Sequence, residues 1–174
     1  MLEIIEKSTK NKQKKSSLVH DWLGKHCSQS LSIRIGLIIE KFINSQLGDK
    51  NILSSIDEGK FVFNDEEHQI DHLIQTEQGY IFTLEAKLNT DLDRGKKRDI
   101  RQREERIEQG LTKEFGCEIT SRIFNPLSDE SFECPGLGYV MGMEEFILKF
   151  QPKFTLEEFK ALGKNQQVHT ALNI

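Results

Sequence analysis

The segment Glu67–Asn89, EHQIDHLIQTEQGYIFTLEAKLN, constrains the fold of this chain more than any other. Two apolar, β-rich stretches flank the short polar stretch Glu77-Gln78-Gly79, which is the pattern of a β-hairpin. A three-residue hairpin loop commonly joins a type I turn to a left-handed residue that forms a bulge, and glycine suits that last position. With Gly79 there, Thr76 faces Tyr80, and counting back along the ladder puts Asp71 opposite Glu85. A two-residue loop would shift the pairing by one and send the two acids to opposite faces. In the three-residue register their Cβ atoms are about 4.5–5.5 Å apart. Lys87, two residues beyond Glu85, points to the same face.

Charges in such strands need a reason, because burying an unpaired carboxylate is costly or changes its protonation state. Like charges opposite each other across a ladder are destabilising, and are tolerated when something positive lies between them. Two acidic oxygens at that spacing suit a hard cation such as Mg2+, which is commonly held by one or two carboxylates together with substrate phosphate oxygens. An amine beside the cation, here Lys87, can orient the water for in-line attack on a phosphodiester or take its proton. Glu-x-Lys occurs three times, at Glu58, Glu85 and Glu158. Only the Glu85 copy lies within a strand opposite an aspartate. His72 alternates to the other face and is expected to pack or to face solvent.

Elsewhere the chain alternates helical and extended patterns. The first seventeen residues form a lysine-rich arm (KSTKNKQKK, Lys7 to Lys15), and residues 18–174 are expected to form a single domain. SLVHDWLGKHC suggests a short helix carrying Trp22. A helix is predicted from Ser32, capped by Ser30 or Ser32 and stopped by Gly48. Its apolar face holds Ile35, Ile38, Ile39, Phe42 and Ile43, and Arg34, Lys41 and Ser45 form its polar strip. Glu40 lies on neither, beside Ile33, Gly36, Leu37 and Asn44, where a carboxylate is partly buried. KFVF (Lys60 to Phe63) and GLGYVMGM are strand candidates. Arg94 to Gly110 reads as a helix with a narrow apolar stripe of Ile100, Ile107 and Leu111. TLEEFKALG is a short helix with Thr155 and Glu158 as a capping box and Gly163 at its end. This order of elements is that of a mixed α/β domain.

Composition narrows the function classes. The longest apolar runs fall far short of the roughly 20 residues that span a bilayer, and the N-terminus lacks a signal-peptide core, so a cytoplasmic address and no membrane partner are expected. Cys27, Cys117 and Cys134 are odd in number, widely spaced and without a C-x-x-C pair, which supports neither a disulfide framework nor a zinc knuckle. The formal net charge of -4 makes the chain as a whole no polyanion binder. Nucleic-acid contact must come from local patches: the Lys7 to Lys15 arm or RGKKRDIRQREER, Arg94 to Arg106.

Asp71, thirteen residues, then Glu85-Ala86-Lys87 on the second strand of a hairpin, preceded by a helix carrying Glu40, resembles the PD-(D/E)xK nuclease superfamily. The resemblance covers Ile33 to Leu111, with Ile70 standing where the nominal proline would be. It implies a restriction-endonuclease-like core, a mixed central β-sheet flanked by helices. Asp71 and Glu85 would ligate Mg2+, or Mn2+ in its place, with the Ala86 carbonyl assisting. Lys87 would serve the nucleophilic water, and Glu40 would be an additional acid near the metal.

The resemblance also gives the basic helix a role, because the helix after the Glu-x-Lys strand often faces substrate in this superfamily. Arg94, Lys96, Lys97, Arg98, Arg101 and Gln102 would then contact double-stranded DNA. The alternative is a solvated face with pairs such as Arg101 with Glu105. The expected activity is that of a Mg2+-dependent endodeoxyribonuclease, most like a small type II restriction endonuclease acting as a homodimer, one site per strand. A repair, recombination or homing nuclease on the same core is the alternative, and a non-catalytic nucleic-acid-binding protein is the rival from another class. Recognition is expected to depend on loops such as SRIFNPLSDESFECPG.

Overall fold

A computed structural model describes residues 29–56 and 59–165, together with Val19, Trp22 and Leu23. The Lys7 to Lys15 arm and Cys27 lie outside the described residues. The elements are α1 (Gln29–Gln46), β1 (Lys60–Phe63), β2 (Glu66–Gln69), β3 (His72–Gln75), β4 (Ile81–Ala86), α2 (Arg94–Phe115), β5 (Ile119–Phe124), β6 (Phe132–Cys134), β7 (Gly138–Met141), α3 (Met143–Phe150) and α4 (Leu156–Gly163). β1 and β2 pair as a separate antiparallel ribbon. The main sheet has the order β3-β4-β5-β7-β6, with β4, β5 and β7 parallel and the outer strands β3 and β6 antiparallel to their neighbours. The class is α/β, as the sequence predicts, and the main sheet is mixed and five-stranded.

The hairpin register is the one derived from Gly79. His72 pairs with Leu84, Leu73 with Thr83, Ile74 with Phe82 and Gln75 with Ile81. Thr76 N–H donates to the Tyr80 carbonyl and Gly79 N–H to that of Thr76. Gly79 has φ of +85°, a backbone conformation that a side chain strains. β3 is shorter than expected. Gln69 belongs to β2, and Asp71 sits at the bend where the chain leaves one ribbon for the main sheet.

Each face of the sheet carries its own core. β4 alternates, so Phe82 and Leu84 point to one side and Ile81, Thr83 and Glu85 to the other. On the first side Ile35, Ile39 and Ile43 of α1 pack with Ile74, Phe82, Leu84, Phe124 and the phenylalanines of α3 and α4. Each such buried side chain contributes roughly 1.5–3 kcal/mol relative to exposure. Ile107 and Leu111 of α2 cover the second side with Leu73, Ile81, Ile119 and Phe61 of β1. Gly110 permits this contact, because a Cβ there would come within 2.5 Å of the Phe61 ring.

Several boundaries differ from the sequence reading. α1 starts at Gln29, so Ser30 and Ser32 lie inside it rather than at its cap. Ile38 is 42% exposed, because the buried stripe follows the strict i, i+4 row Ile35, Ile39, Ile43, Leu47. α2 runs through Gly110 and stops at Gly116, whose φ of +66° ends it in the left-handed conformation. Much of SRIFNPLSDESFECPG is sheet, in β5 and β6. α4 carries the expected capping box: Thr155 Oγ1 accepts from Glu158 N–H at 3.2 Å, and Glu158 Oε2 accepts from Thr155 N–H at 2.8 Å. Val19, Trp22 and Leu23 are helical, and the Trp22 ring packs 5.7 Å from Phe159. Cys117 is exposed and Cys134 buried, both free thiols. No helix among the described residues is long and apolar enough to cross a membrane.

Candidate active site

Extending the hairpin ladder by one step sets Asp71 across from Glu85 on the α2 side of the sheet. Asp71 Oδ2 accepts from Ala86 N–H at 2.8 Å, so its side chain continues the ladder where β3 has already turned away. The Ala86 carbonyl leaves the strand on the same side as its N–H. Lys87 N–H donates to the Phe124 carbonyl at 2.8 Å, so β5 holds the backbone of the Glu-Ala-Lys segment. Pairing on both flanks fixes Glu85, which is 3% exposed, in a rigid part of the molecule.

Positive charge does lie beside the acid pair, and part of it comes from an unexpected place. Lys87 Nζ donates to Glu85 Oε1, and Arg103 of α2 donates to Glu85 Oε2. The Asp71 carboxyl is pushed up to about 6, first by burial and then by Glu85, and the Ala86 N–H opposes the rise. Glu40, half-buried on α1, is pushed up to about 7 by burial and then by Asp71 and Glu85. Glu40 thus feels the charge of both acids from α1. Among the described residues no group of three or more His, Cys, Asp or Glu side chains is close enough together to hold a metal ion. The acid pair with one carbonyl is a smaller donor set.

Asn44, one turn beyond Glu40, ties α1 to the hairpin. Its Nδ2 donates to the Asp71 carbonyl at 2.9 Å, which leaves Oδ1 to face His72 Nδ1 at 2.7 Å. His72 Nδ1 must therefore carry the hydrogen. The ring is fully buried against the edge of Phe124, its Nε2 has no partner, and burial lowers its pKa to about 3. His72 is thus a neutral packing residue on the face away from Glu85.

Of the six α2 residues expected at DNA, Lys96 alone lines the groove that opens from Glu85. This groove of about 290 Å3 is lined also by Lys87, Leu92, Asp99, Ile100 and Arg103. At 100° per residue Lys96 and Arg103 fall nearly in line, whereas Arg94, Arg98 and Arg101 project from the opposite side of α2. Arg98 lies 3.8 Å from Asp99, Arg101 lies 3.6 Å from Glu105, and Gln102 is exposed. Lys97 turns toward the sheet and donates to the Pro135 carbonyl at 2.9 Å.

Sequence reasoning missed Asn44, Arg103 and Glu104. Glu104 is 7% exposed; its Oε2 accepts from Ser121 Oγ at 2.5 Å, while its Oε1 has no partner. Burial, then Glu85, pushes its pKa up to about 7, against the hydrogen bond from Ser121. The signal was available, since Glu104 falls between Ile100 and Ile107 on the apolar stripe of α2. A charge on a buried stripe is the same anomaly that singled out Asp71.

No protein-family model, no curated protein and no solved structure matches this chain.

Proposed function

We propose that this protein is a Mg2+-dependent endodeoxyribonuclease with a restriction-endonuclease-like core, acting on double-stranded DNA as a homodimer in the manner of a type II restriction enzyme. The observation that carries the reading is that Asp71, bonded to Ala86 N–H across from Glu85, and Lys87 adjoin Glu85, which together with Lys87, Lys96 and Arg103 lines a groove. The donor set fits Mg2+. Its atoms are hard oxygens, and the raised pKa of Asp71 is what a carboxylate shows when buried beside another without a cation between them. Asp71 and Glu85 would hold the ion with the Ala86 carbonyl assisting, and Glu40 would be a more distant acid. Bound there, Mg2+ would supply Lewis-acid stabilisation of the charge that builds on the phosphate.

The chain's own residues account for the rest. Lys87, tethered at its backbone by β5, holds the attacking water with its ammonium group. The water oxygen bonds to phosphorus as the bond to the leaving sugar oxygen breaks. The water's proton passes to solvent, and the leaving oxygen takes a proton from solvent. Lys96 places the strand through its phosphate without reading bases.

The test is digestion of a fully sequenced plasmid with Mg2+. Discrete fragments support a restriction-type enzyme, and a smear supports a general nuclease of the repair or recombination kind. Intact plasmid alongside measurable DNA binding would overturn the enzyme reading in favour of a non-catalytic binding protein.

A further inference from the structure

We propose that Arg103 exchanges partners during the reaction: it holds Glu85 Oε2 in the cation-free protein and turns to a non-bridging oxygen of the scissile phosphate once a cation occupies that carboxylate. The inference rests on the nuclease reading and deepens it by adding a residue that touches substrate.

Four observations carry it. Arg103 and Lys87 between them engage both oxygens of Glu85, so a divalent cation approaching the carboxylate meets two positively charged groups. Lys87 is two residues from Glu85 on the same strand, with its backbone bonded to β5, whereas Arg103 reaches across from α2. Lys87, 28% exposed, lines the same groove, and what distinguishes Arg103 is its place on α2 and its weaker anchoring. The Arg103 side chain is 35% exposed and lines the groove, in line with Lys96. It is also incompletely anchored. Its Nε is buried without an acceptor, and Glu104 Oε1, 3.9 Å away, is too far to bond and is itself without a hydrogen-bond partner. A guanidinium next to a divalent cation is repelled, and its planar fork matches a phosphate as well as it matches a carboxylate. The phosphodiester therefore replaces the anion that Arg103 gives up.

The exchange makes Arg103 a competitor of the cation and a helper of the substrate. Arg103→Met removes both roles with little change of volume. Thermal shifts with Ca2+ on DNA-free protein read the first, and single-turnover cleavage at saturating Mg2+ reads the second. The expected result is a Ca2+ midpoint lowered by about threefold or more together with cleavage slowed about a hundredfold. A residue with a purely structural role would lower the melting temperature without lowering the Ca2+ midpoint, and that pattern would overturn the exchange. Should Arg103→Met fail to fold, Arg103→Lys keeps the charge without the fork. Cleavage slowed about tenfold in that folded variant supports the proposal, and cleavage within about threefold of wild type sinks it. Wild-type protein assayed in parallel separates the two claims. No cleavage by wild type would refute the nuclease reading itself, whereas wild-type cleavage with an unaltered Arg103 variant refutes the exchange alone.

Discussion

Asn44 Oδ1 lies 2.7 Å from His72 Nδ1, and the amide nitrogen of the same side chain donates to the Asp71 carbonyl at 2.9 Å. One side chain from α1 thus fixes two consecutive residues at the start of β3, one on each face of the sheet. Replacing Asn44 by Ala would leave the buried His72 Nδ1–H without an acceptor. The expected loss is about 1–3 kcal/mol, seen as a lower urea midpoint with unchanged slope. Cleavage should fall as well, because the Asp71 backbone loses its anchor. Unchanged stability would show that the amide is dispensable.

Lys87→Ala is expected to slow cleavage by about a hundredfold or more while DNA binding and folding persist, because Arg103 still partners Glu85. A variant that cuts within about tenfold of wild type would remove Lys87 from its assigned role.

The pH dependence of stability follows from three raised carboxyls. Glu40, Asp71 and Glu104 take up protons more readily folded than unfolded, at about 7, 6 and 7 against ordinary values of 4.5, 3.8 and 4.5. A raised acid favours the folded state when protonated, so stability contributed by these groups is present below pH 4 and is lost as pH rises toward 7. Their share of the stability curve therefore slopes downward from pH 4 to 7 in metal-free protein. Glu104→Gln should flatten that slope. It should raise the melting temperature at pH 8 by roughly 3–6 °C for one pKa unit of relief. Asp71→Asn should act in the same direction, since an amide oxygen can still accept from Ala86 N–H. A melting temperature at pH 8 lowered by both substitutions would contradict the burial argument.

The two sides of α2 make separable predictions for DNA binding. Lys96→Gln, at the groove, should weaken binding and reduce the slope of log affinity against log salt by about 0.9. Arg98→Gln and Arg101→Gln, neither of which lines the groove, should each change it much less. Equal changes from all three would mean that DNA wraps the helix rather than lying along the groove.

What was legible in the sequence was whatever depends on short-range geometry. The Gly79 turn and the strand period together fixed which residues face each other, and that placed Asp71 and Glu85 correctly. Helix length was less legible, because Gly110 looks like a stop until Phe61 is seen to need the space its missing Cβ leaves. β5 and β6 were hidden because Arg122 and Glu133 break their apolar patterns. Arg103 was invisible as a site residue for a different reason. It sits in a run of charges, and only the docking of α2 on the sheet distinguishes it from Arg101 or Arg106.

The hairpin has a further consequence, for the order in which the molecule assembles. Asp71 and Ala86 are joined at a separation of 15 residues, whereas Asn44 reaches His72 across 28. Closing the shorter loop costs less chain entropy, and an isolated hairpin forms on a microsecond scale. The paired acids are thus joined by the most local long-range contact in the site, and α1 and α2 are expected to dock onto that arrangement. Gly79→Val, which strains the turn without touching either acid, is expected to act mainly on the refolding rate. Asn44→Ala, at a contact made late, is expected to act mainly on the unfolding rate. Stopped-flow measurements on the two variants distinguish these cases, and the reverse pattern would mean that the helices assemble first and the hairpin closes between them.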